Sequence, residues 1–301
     1  MVKFICMVGL PASGKSTYSQ TLSERYNAMI CSSDCIREEL FNDVNNQTHN
    51  TDVFKELYKR IKNYLQNGQS VIMDSTNISY KRRMAFLQEL KNIPCEKICV
   101  LMATPYEQCI KNNTSRDRVV PEYVIERMYR NFDIPGDYEG WDDIVVIYNS
   151  EIISYKNPHN FYIAYRNFNQ HNTHHTLTLG EHCSEVCVAL CNESEELRVA
   201  GLLHDCGKPF CKTFTNTKGD VTEQAHYYNH EHTGSYDSLF YYRDFHNENP
   251  LYIAILIRWH MQPYFWEKDN NERQHNKYRK LWGEELYKDI MLLHEADKNA
   301  H

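Results

Sequence analysis

MVKFICMVGLPASGKST, residues 1–17, sets an apolar, β-rich run against a glycine-bounded loop and a helix-forming tail. Lys3–Val8 reads as a buried strand, Lys15–Arg25 as a helix, and the loop between them fits GxxxxGK[ST] in the strand–loop–helix context the pattern requires. Such a loop turns backbone N–H groups and a helix N-terminus towards phosphate. Gly9, Ala12, Ser13, Gly14, Lys15, Ser16 and Thr17 are therefore expected to cradle a nucleoside triphosphate, ATP or another NTP, with Ser16 on Mg²⁺. The start could pass for a signal sequence, but its apolar stretch runs straight into the loop, as a first buried strand does. A cytoplasmic protein is expected, in the host's cytoplasm if viral.

The motif does not name the phosphate acceptor; the ends of the next strands do more. Ala28–Ser32, Ser70–Asp74, Lys97–Met102 and Asp143–Tyr148 read as further strands, with an amphipathic helix at Asp52–Gln66. Alternating strands and helices predict a parallel sheet covered by helices, with ligands at the carboxyl ends of its strands. There stands SSDCIR, residues 32–37, where Asp34 can accept a hydroxyl proton and Arg37, one turn on, can meet a phosphate. Asp34 is equally suited to cap the helix that follows. VIMDSTN, residues 71–77, places Asp74 to hold the magnesium water shell. SRDRVVP, residues 115–121, opens a helix whose arginines either stabilise a transferring phosphoryl group or form a solvated basic start.

GLPASGKST, SSDCIR, DSTN and RDRVVP, in that order over about residues 1–150, resemble the 5′-hydroxyl polynucleotide kinases of phage and bacterial RNA repair. The resemblance implies that Lys15 and Ser16 hold donor phosphates and magnesium. It implies Asp34 as general base, Arg37 on the acceptor's neighbouring 3′-phosphate, and a lid arginine, Arg116 or Arg118, on the donor. Ser75 separates the acid from Thr-Asn, as in the bacterial modules rather than the phage enzyme.

The second half has a different character. All but one of the fifteen histidines lie at or after His159, and no convincing alternating strand follows about residue 175. Helices are expected at Leu179–Cys191, Glu195–Asp205, His230–Tyr242, Pro250–His260 and Glu284–Lys298, giving an all-α half. Residues 149–175 read as a polar linker and 267–280 as a charged surface loop. LLHDCGKP, residues 202–209, puts a His-Asp doublet in an apolar helix, flanked by His182, His230, His260 and Asp297. Imidazoles and carboxylates suit one or two divalent metals (Mn, Fe, Ni, Zn or Mg), and a shared Asp can bridge a pair. Lys208, one turn past the doublet, can neutralise a phosphate oxygen.

LGEHC, LLHDCGKP, NHEHTGS, IRWHMQP and LLHEAD, across about residues 175–301, resemble the HD phosphohydrolase superfamily, whose fold is a helical bundle around one or two metals. The resemblance gives ligand roles to His182, His204, Asp205, His230, His260 and Asp297, and leaves His226 and His232 as neighbours. Asn229 stands where the family usually has Gly. The expected architecture is thus an α/β P-loop kinase domain at 1–150, a linker at 151–174, and an all-α HD bundle at 175–301.

At 301 residues and 42% hydrophobic, the chain suffices for two cores, and no apolar run is long enough to span a bilayer. A net charge of −7 excludes a global basic field. It leaves room for local contacts through Lys81, Arg82, Arg83, Arg116, Arg118, Arg127 and Arg130. Eleven cysteines without framework spacing suggest reduced thiols. Cys183, Cys187 and Cys191 share a helical face that reads as a buried stripe. The pairing of two phosphate chemistries points to an enzyme that resets polynucleotide ends, RNA foremost. It would phosphorylate a 5′-OH and remove a 3′-phosphate or 2′,3′-cyclic phosphate, leaving ends that suit a downstream ligase, with no membrane partner. The alternatives are a nucleoside kinase fused to a nucleotidase, and a kinase whose HD half is a non-catalytic RNA-gripping scaffold.

Overall fold

The computed structural model describes residues 1–46, 48–116, 118–149, 159–172, 176–241, 249–267 and 271–300. The chain divides into two compact units, Met1–Met128 with Pro135–Glu151, and Tyr129–Ile134 with Ile152–His301. Among the described residues no helix is long and apolar enough to cross a membrane.

The first unit runs β1 (Lys3–Val8), α1 (Lys15–Tyr26), β2 (Met29–Ser32), α2 (Ser33–Phe41), α3 (Asn50–Gln66), β3 (Val71–Asp74), α4 (Tyr80–Glu89), β4 (Glu96–Ala103), α5 (Tyr106–Thr114), α6 (Glu122–Tyr129) and β5 (Asp143–Tyr148). All its strands are parallel, in the order β2-β3-β1-β4-β5. Ile5, Met7, Ile72, Ile98, Val100 and Met102 meet Leu22 and Ala28 in one core. β-branched and unbranched apolar side chains on both sheet faces are what a helix-covered parallel sheet needs. Ser32 pairs in register with Asp74, so Asp34, in the first turn of α2, and Asp74, the last residue of β3, stand at the carboxyl ends of neighbouring strands.

One sequence expectation is corrected here. Arg83, read as a nucleic-acid contact, is 4% exposed. Its Nη2 and Nε lie 2.6 and 2.8 Å from the Glu139 carboxylate, which also accepts from Trp141 Nε1. A cation this deep requires a paired acid, and the pair locks α4 to the Asp137–Glu139 turn. Asn77 of DSTN is structural as well. Its φ is +47°, its amide donates to the Met7 carbonyl, and its own carbonyl accepts from Arg83.

The second unit continues with α7 (His159–Tyr165), α8 (Leu179–Ala189), α9 (Glu195–Leu203), α10 (Lys208–Cys211), β6 (Thr213–Thr215), β7 (Val221–His226), α11 (His230–Ser238), α12 (Pro250–Trp259), α13 (Gln262–Glu267), α14 (Glu272–Trp282) and α15 (Glu284–Asn299). Helices α8, α9, α11, α12 and α15 supply its core. It is not purely helical, because β6 and β7 form an antiparallel hairpin around Asn216–Asp220. That hairpin is mostly exposed, so its strands lack the apolar alternation that marks a half-buried strand. The 267–280 stretch, expected to be a loop, carries α14, whose charge hides an aromatic face: Tyr278 and Trp282 pack on Trp259 and Trp266. Residues 268–270 lie outside the description, as do 150–158 and 173–175 of the stretch read as a linker. Within that stretch α7 buries Phe161. The three-cysteine stripe also fails as drawn: Cys183 is buried, Cys187 half-buried and Cys191 exposed.

Candidate functional site

In the first unit the loop after β1 is shaped by residues from three elements. Gly14 adopts φ +93°, and a Cβ there would stand 2.3 Å from Asn149 Nδ2, so glycine is required on both counts. Asn149 Nδ2 and Thr104 Oγ1 each donate to the Ser13 carbonyl at 2.9 Å, and Asn112 Nδ2 donates to Ala12 O. These bonds occupy the carbonyls of Ala12 and Ser13, while the N–H groups of Gly9 and Ser13 donate to Thr76 and Leu10, so the anion-facing donors are those at the start of α1. Lys15 Nζ donates to the Leu10 carbonyl at 2.6 Å. Burial pushes the Lys15 amine down to about 8, against the attraction of Asp74. A buried amine beside those N–H donors is a site short of negative charge, which phosphate supplies.

Ser32, not Asp34, caps α2: its hydroxyl accepts from the N–H groups of Asp34 and Cys35. Asp34 is therefore free for other partners. Arg37 Nη1 lies 2.7 Å from Asp34 Oδ1, and Arg118 Nη1 lies 2.5 Å from Asp34 Oδ2. Arg37 is 4% exposed and its Nη2 donates to Asn50 Oδ1 at 2.9 Å, whereas Arg118 Nε donates to the surface Asn45. Arg116 is exposed and close enough to Lys15 to depress its pKa. The two arginines thus divide, Arg118 beside Asp34 and Arg116 on the Lys15 side. Asp117 between them lies outside the described residues.

These groups line one open cleft of about 1380 Å³. Single-ligand pockets run to roughly 1,000 Å³, so this volume has room for a donor and an acceptor together. Arg37, Arg82, Arg116, Arg118, Arg127 and Lys15 line it together with Asp34 and Asp74. An acidic chain thereby holds one strongly cationic cleft. Arg130 belongs to the second unit and lies over the Phe210 ring.

The second unit gathers its histidines from four helix ends or turns. His182 comes from α8; His204 and His260 are the residues after α9 and α12; His230 opens α11; Asp297 lies in α15. α9 stops at Leu203, short of the doublet, so Asp205 sits in the turn leading to α10. Each ring has its Nδ1 against a backbone carbonyl: His182 on Ala300, His204 on Gly201, His230 on Tyr227 and His260 on Ile257, at 2.7–3.0 Å. A carbonyl can only accept, so Nδ1 carries a proton, and in the neutral ring each Nε2 turns a lone pair inward.

Those lone pairs confront one another. His182 Nε2 is 3.2 Å from His204 Nε2, and His230 Nε2 is 3.3 Å from His260 Nε2. Asp205 lies between the pairs, its Oδ2 at 3.5 and 3.3 Å from His182 and His204, its Oδ1 at 3.1 and 3.9 Å from His230 and His260. Asp297 Oδ1 closes the first pair at 3.0 and 3.4 Å. Buried lone pairs facing lone pairs repel unless a proton or a metal ion lies between them. The donors fall into three overlapping sets: His182, His204 and Asp297; Cys183, His204 and Asp205; and Asp205, His230 and His260. The donor chemistry and burial fit one or two divalent ions. Burial disfavours charge on both acids, but Lys208 and His204 hold Asp205 well below the usual carboxylate range, and His204 and His182 do the same for Asp297. Burial opposes a charged His204, yet Asp205, Cys183 and Asp297 raise its pKa well above the ordinary value. His260 is pushed to about 3 by burial and its neighbouring imidazoles.

Lys208 Nζ is 2.6 Å from Asp205 Oδ2 and 2.8 Å from Gln170 Oε1. Asn229 takes φ +61°, the left-handed conformation that glycine supplies elsewhere and that asparagine tolerates best among other residues. His226 bonds Thr222, and His232 bonds the Phe132 carbonyl, so neither enters the cage. Residues that sequence reasoning passed over include Asn50, Asn45, Gln170 and Tyr264, the last donating to Asp297 Oδ2 at 3.1 Å. Cys183, assigned to a stripe, has its sulfur within 4.8 Å of donor atoms of His204 and Asp205. Its position directly after His182 was the only available signal.

Residues 4–135 match the AAA domain family and residues 173–300 the HD domain family. The chain is also similar to the L-seryl-tRNA(Sec) kinase of Methanococcus maripaludis, 31% identical over 158 residues, 47% of this chain and 58% of that protein. It is similar to the protein kti12 of Schizosaccharomyces pombe, 24% identical over 46% of this chain and 54% of that one. The chain spans rather over half the length of these curated relatives. Among solved structures, the Mycobacterium tuberculosis APS kinase superposes at TM-score 0.39, with 15% identity, over 50% of this chain and 90% of that one. A chain of the Pnkp1/Rnl/Hen1 RNA repair complex superposes at 0.36, with 22% identity, over 42% of each chain. The sheet order, the loop after β1, the histidine cage and both family matches agree: one chain joins a P-loop kinase domain to an HD domain.

Proposed function

We propose that the chain heals nucleic-acid ends, RNA being its natural polymer. The first unit transfers the γ-phosphate of ATP or another NTP to a 5′-hydroxyl. The second hydrolyses a terminal 3′-phosphate or 2′,3′-cyclic phosphate. The observation that carries this reading is Arg37: a buried guanidinium held beside Asp34 by Asn50, in a cationic cleft with room for two ligands. A free nucleoside has no phosphate for that arginine to meet; a polynucleotide end has one beside its hydroxyl.

Lys15 and the N–H groups at the start of α1 bind the donor, and Ser16 and Asp74 hold its Mg²⁺. Asp34 takes the hydroxyl proton as the acceptor oxygen bonds to the γ-phosphorus and the NDP leaves. Arg37 fixes the acceptor's neighbouring phosphate, and Arg116 covers the donor. In the second unit His182, His204, Asp205, His230, His260 and Asp297 hold divalent metal. Such ions, when bound, supply an acidified water and a clamp on phosphate oxygens. Lys208, oriented by Gln170, neutralises a nonbridging oxygen of the ester. The chain would work in the cytoplasm and leave ends that a ligase can join.

End-group analysis tests this directly: RNA and DNA oligomers carrying 5′-OH with 3′-phosphate or cyclic phosphate should emerge as 5′-phosphate and 3′-OH. A free nucleoside phosphorylated as well as an oligomer would end the reading. The match to a seryl-tRNA kinase favours one other acceptor, a hydroxyl carried on tRNA, so seryl-tRNA belongs in the same comparison.

A further inference from the structure

The acceptor side of the kinase cleft continues past Arg37. The Arg37 guanidinium has Asp34 on one nitrogen and Asn50 on the other, so Asn50 lies across it from the base. Asn50 begins α3, and Phe54 stands one turn further along the same face. The Phe54 ring is half-buried and borders the cleft. Exposed Arg82 holds its guanidinium 5.8 Å from the ring centroid. Behind Phe54 opens a smaller cavity of about 50 Å³, and Phe54, Thr76 and Arg82 wall both spaces. Tyr58 packs tilted against the ring at 5.8 Å and is itself stacked on Phe86 at 4.1 Å, so the ring rests on an aromatic cluster.

We infer that Phe54, with Arg82, forms a stacking subsite for the base of the acceptor's second nucleotide. The inference rests on the polynucleotide-acceptor reading and extends it. The order along the cleft is carboxylate, guanidinium, aromatic ring, which is the order hydroxyl, phosphate, next base along a strand. Aromatic faces bind bases without regard to sequence, as an enzyme acting on any end requires. Arg82, exposed on a flexible stem, yields the ring face to the base and turns its charge to the phosphate that follows.

The test uses the full chain, ATP·Mg²⁺ and 5′-OH RNA oligomers that are intact or abasic at the first, second or third nucleotide. Wild type should show KM raised about tenfold by the second-position abasic site and little changed by the other two. Phe54→Leu keeps apolar volume but loses the π face; it should raise KM for the intact oligomer about as much, with kcat held. It should then be indifferent to the second-position abasic site, and Phe54→Tyr should recover most of the loss. Equal KM for all four oligomers, or losses from Phe54→Leu and the abasic site that multiply as independent effects, overturns the subsite alone. If wild type phosphorylates no oligomer, the polynucleotide reading falls and the subsite with it. A Phe54→Leu protein with a lowered unfolding midpoint would shift the comparison to wild type on the abasic series, which decides without a variant.

Discussion

Raising the pH from 7 to 9 discharges Lys15 in the free protein, and nucleotide binding should reverse this. Lysine is charged below its pKa, and burial brings this one down to about 8. The free amine is then roughly 10% neutral at pH 7, about half neutral at pH 8 and ~90% neutral at pH 9. A triphosphate beside Nζ restores the charge, so binding takes up about 0.1, 0.5 and 0.9 proton respectively. The linked loss of affinity between pH 7 and 9 is roughly tenfold, about 1.4 kcal/mol. Calorimetric titration with a non-hydrolysable triphosphate, in pairs of buffers with different ionisation enthalpies, reads the proton count as a slope. An exposed lysine titrates near its ordinary value and would give no uptake over this range. A slope near zero at pH 8 and 9, or one unchanged in Lys15→Met, would refute the argument that the loop holds an under-compensated buried amine.

The two sites should separate genetically: Asp34→Asn removes phosphorylation and spares hydrolysis, while Asp205→Asn does the reverse, as end-labelling and phosphate-release assays would record. Loss of both activities from either change in a folded protein contradicts the two-site assignment. Chelation should lower the unfolding temperature of the second unit and leave the first unit's transition in place, because the facing Nε2 pairs lose their cation; calorimetry with and without added Mn²⁺ checks it. Glu139→Gln strands the buried Arg83 and should cost about 3–5 kcal/mol, a drop of roughly 10 °C in the first unit's transition, with little effect on the second.

Local signals carried most of the fold. The loop at Gly9–Thr17 and the alternating runs after it suffice for a parallel sheet, because burial on both faces writes itself into each strand. The cage residues were legible as residue types in order, but their pairing was not. Which histidine faces which depends on four helix ends meeting, and Asp205 as the shared carboxylate is a three-dimensional fact. Supporting residues were least visible. Asn50, Gln170 and Asn149 act across 13, 38 and 136 residues, where no periodicity survives. Arg83 misled because an arginine near a phosphate site looks the same in sequence whether it faces solvent or a buried glutamate. The hairpin Thr213–His226 was missed because a short exposed element has little apolar pattern to show, and helix α14 because its many charged residues mask the spaced aromatics that pack inward.

The last ambiguity of the sequence, Arg116 against Arg118, becomes a mechanistic prediction. Both Asp34 oxygens already have an arginine at hydrogen-bond distance. An acceptor hydroxyl must come equally close to one of them, so one arginine has to yield. Arg37 cannot, being buried and tied to Asn50; Arg118, a quarter exposed and tied to the surface Asn45, can. Its natural new partner is a phosphate of the incoming strand. Arg118→Ala therefore removes a charge-assisted contact made by bound acceptor, worth about 1.5–3 kcal/mol, or roughly 10–150-fold in KM, while kcat changes little. Arg37→Ala loses a contact that also positions the base, so kcat should fall with it. Steady-state kinetics on a 5′-OH oligomer at saturating ATP distinguish the two. If Arg118→Ala abolished transfer while Arg37→Ala left kcat intact, the exchange of partners would be assigned to the wrong arginine.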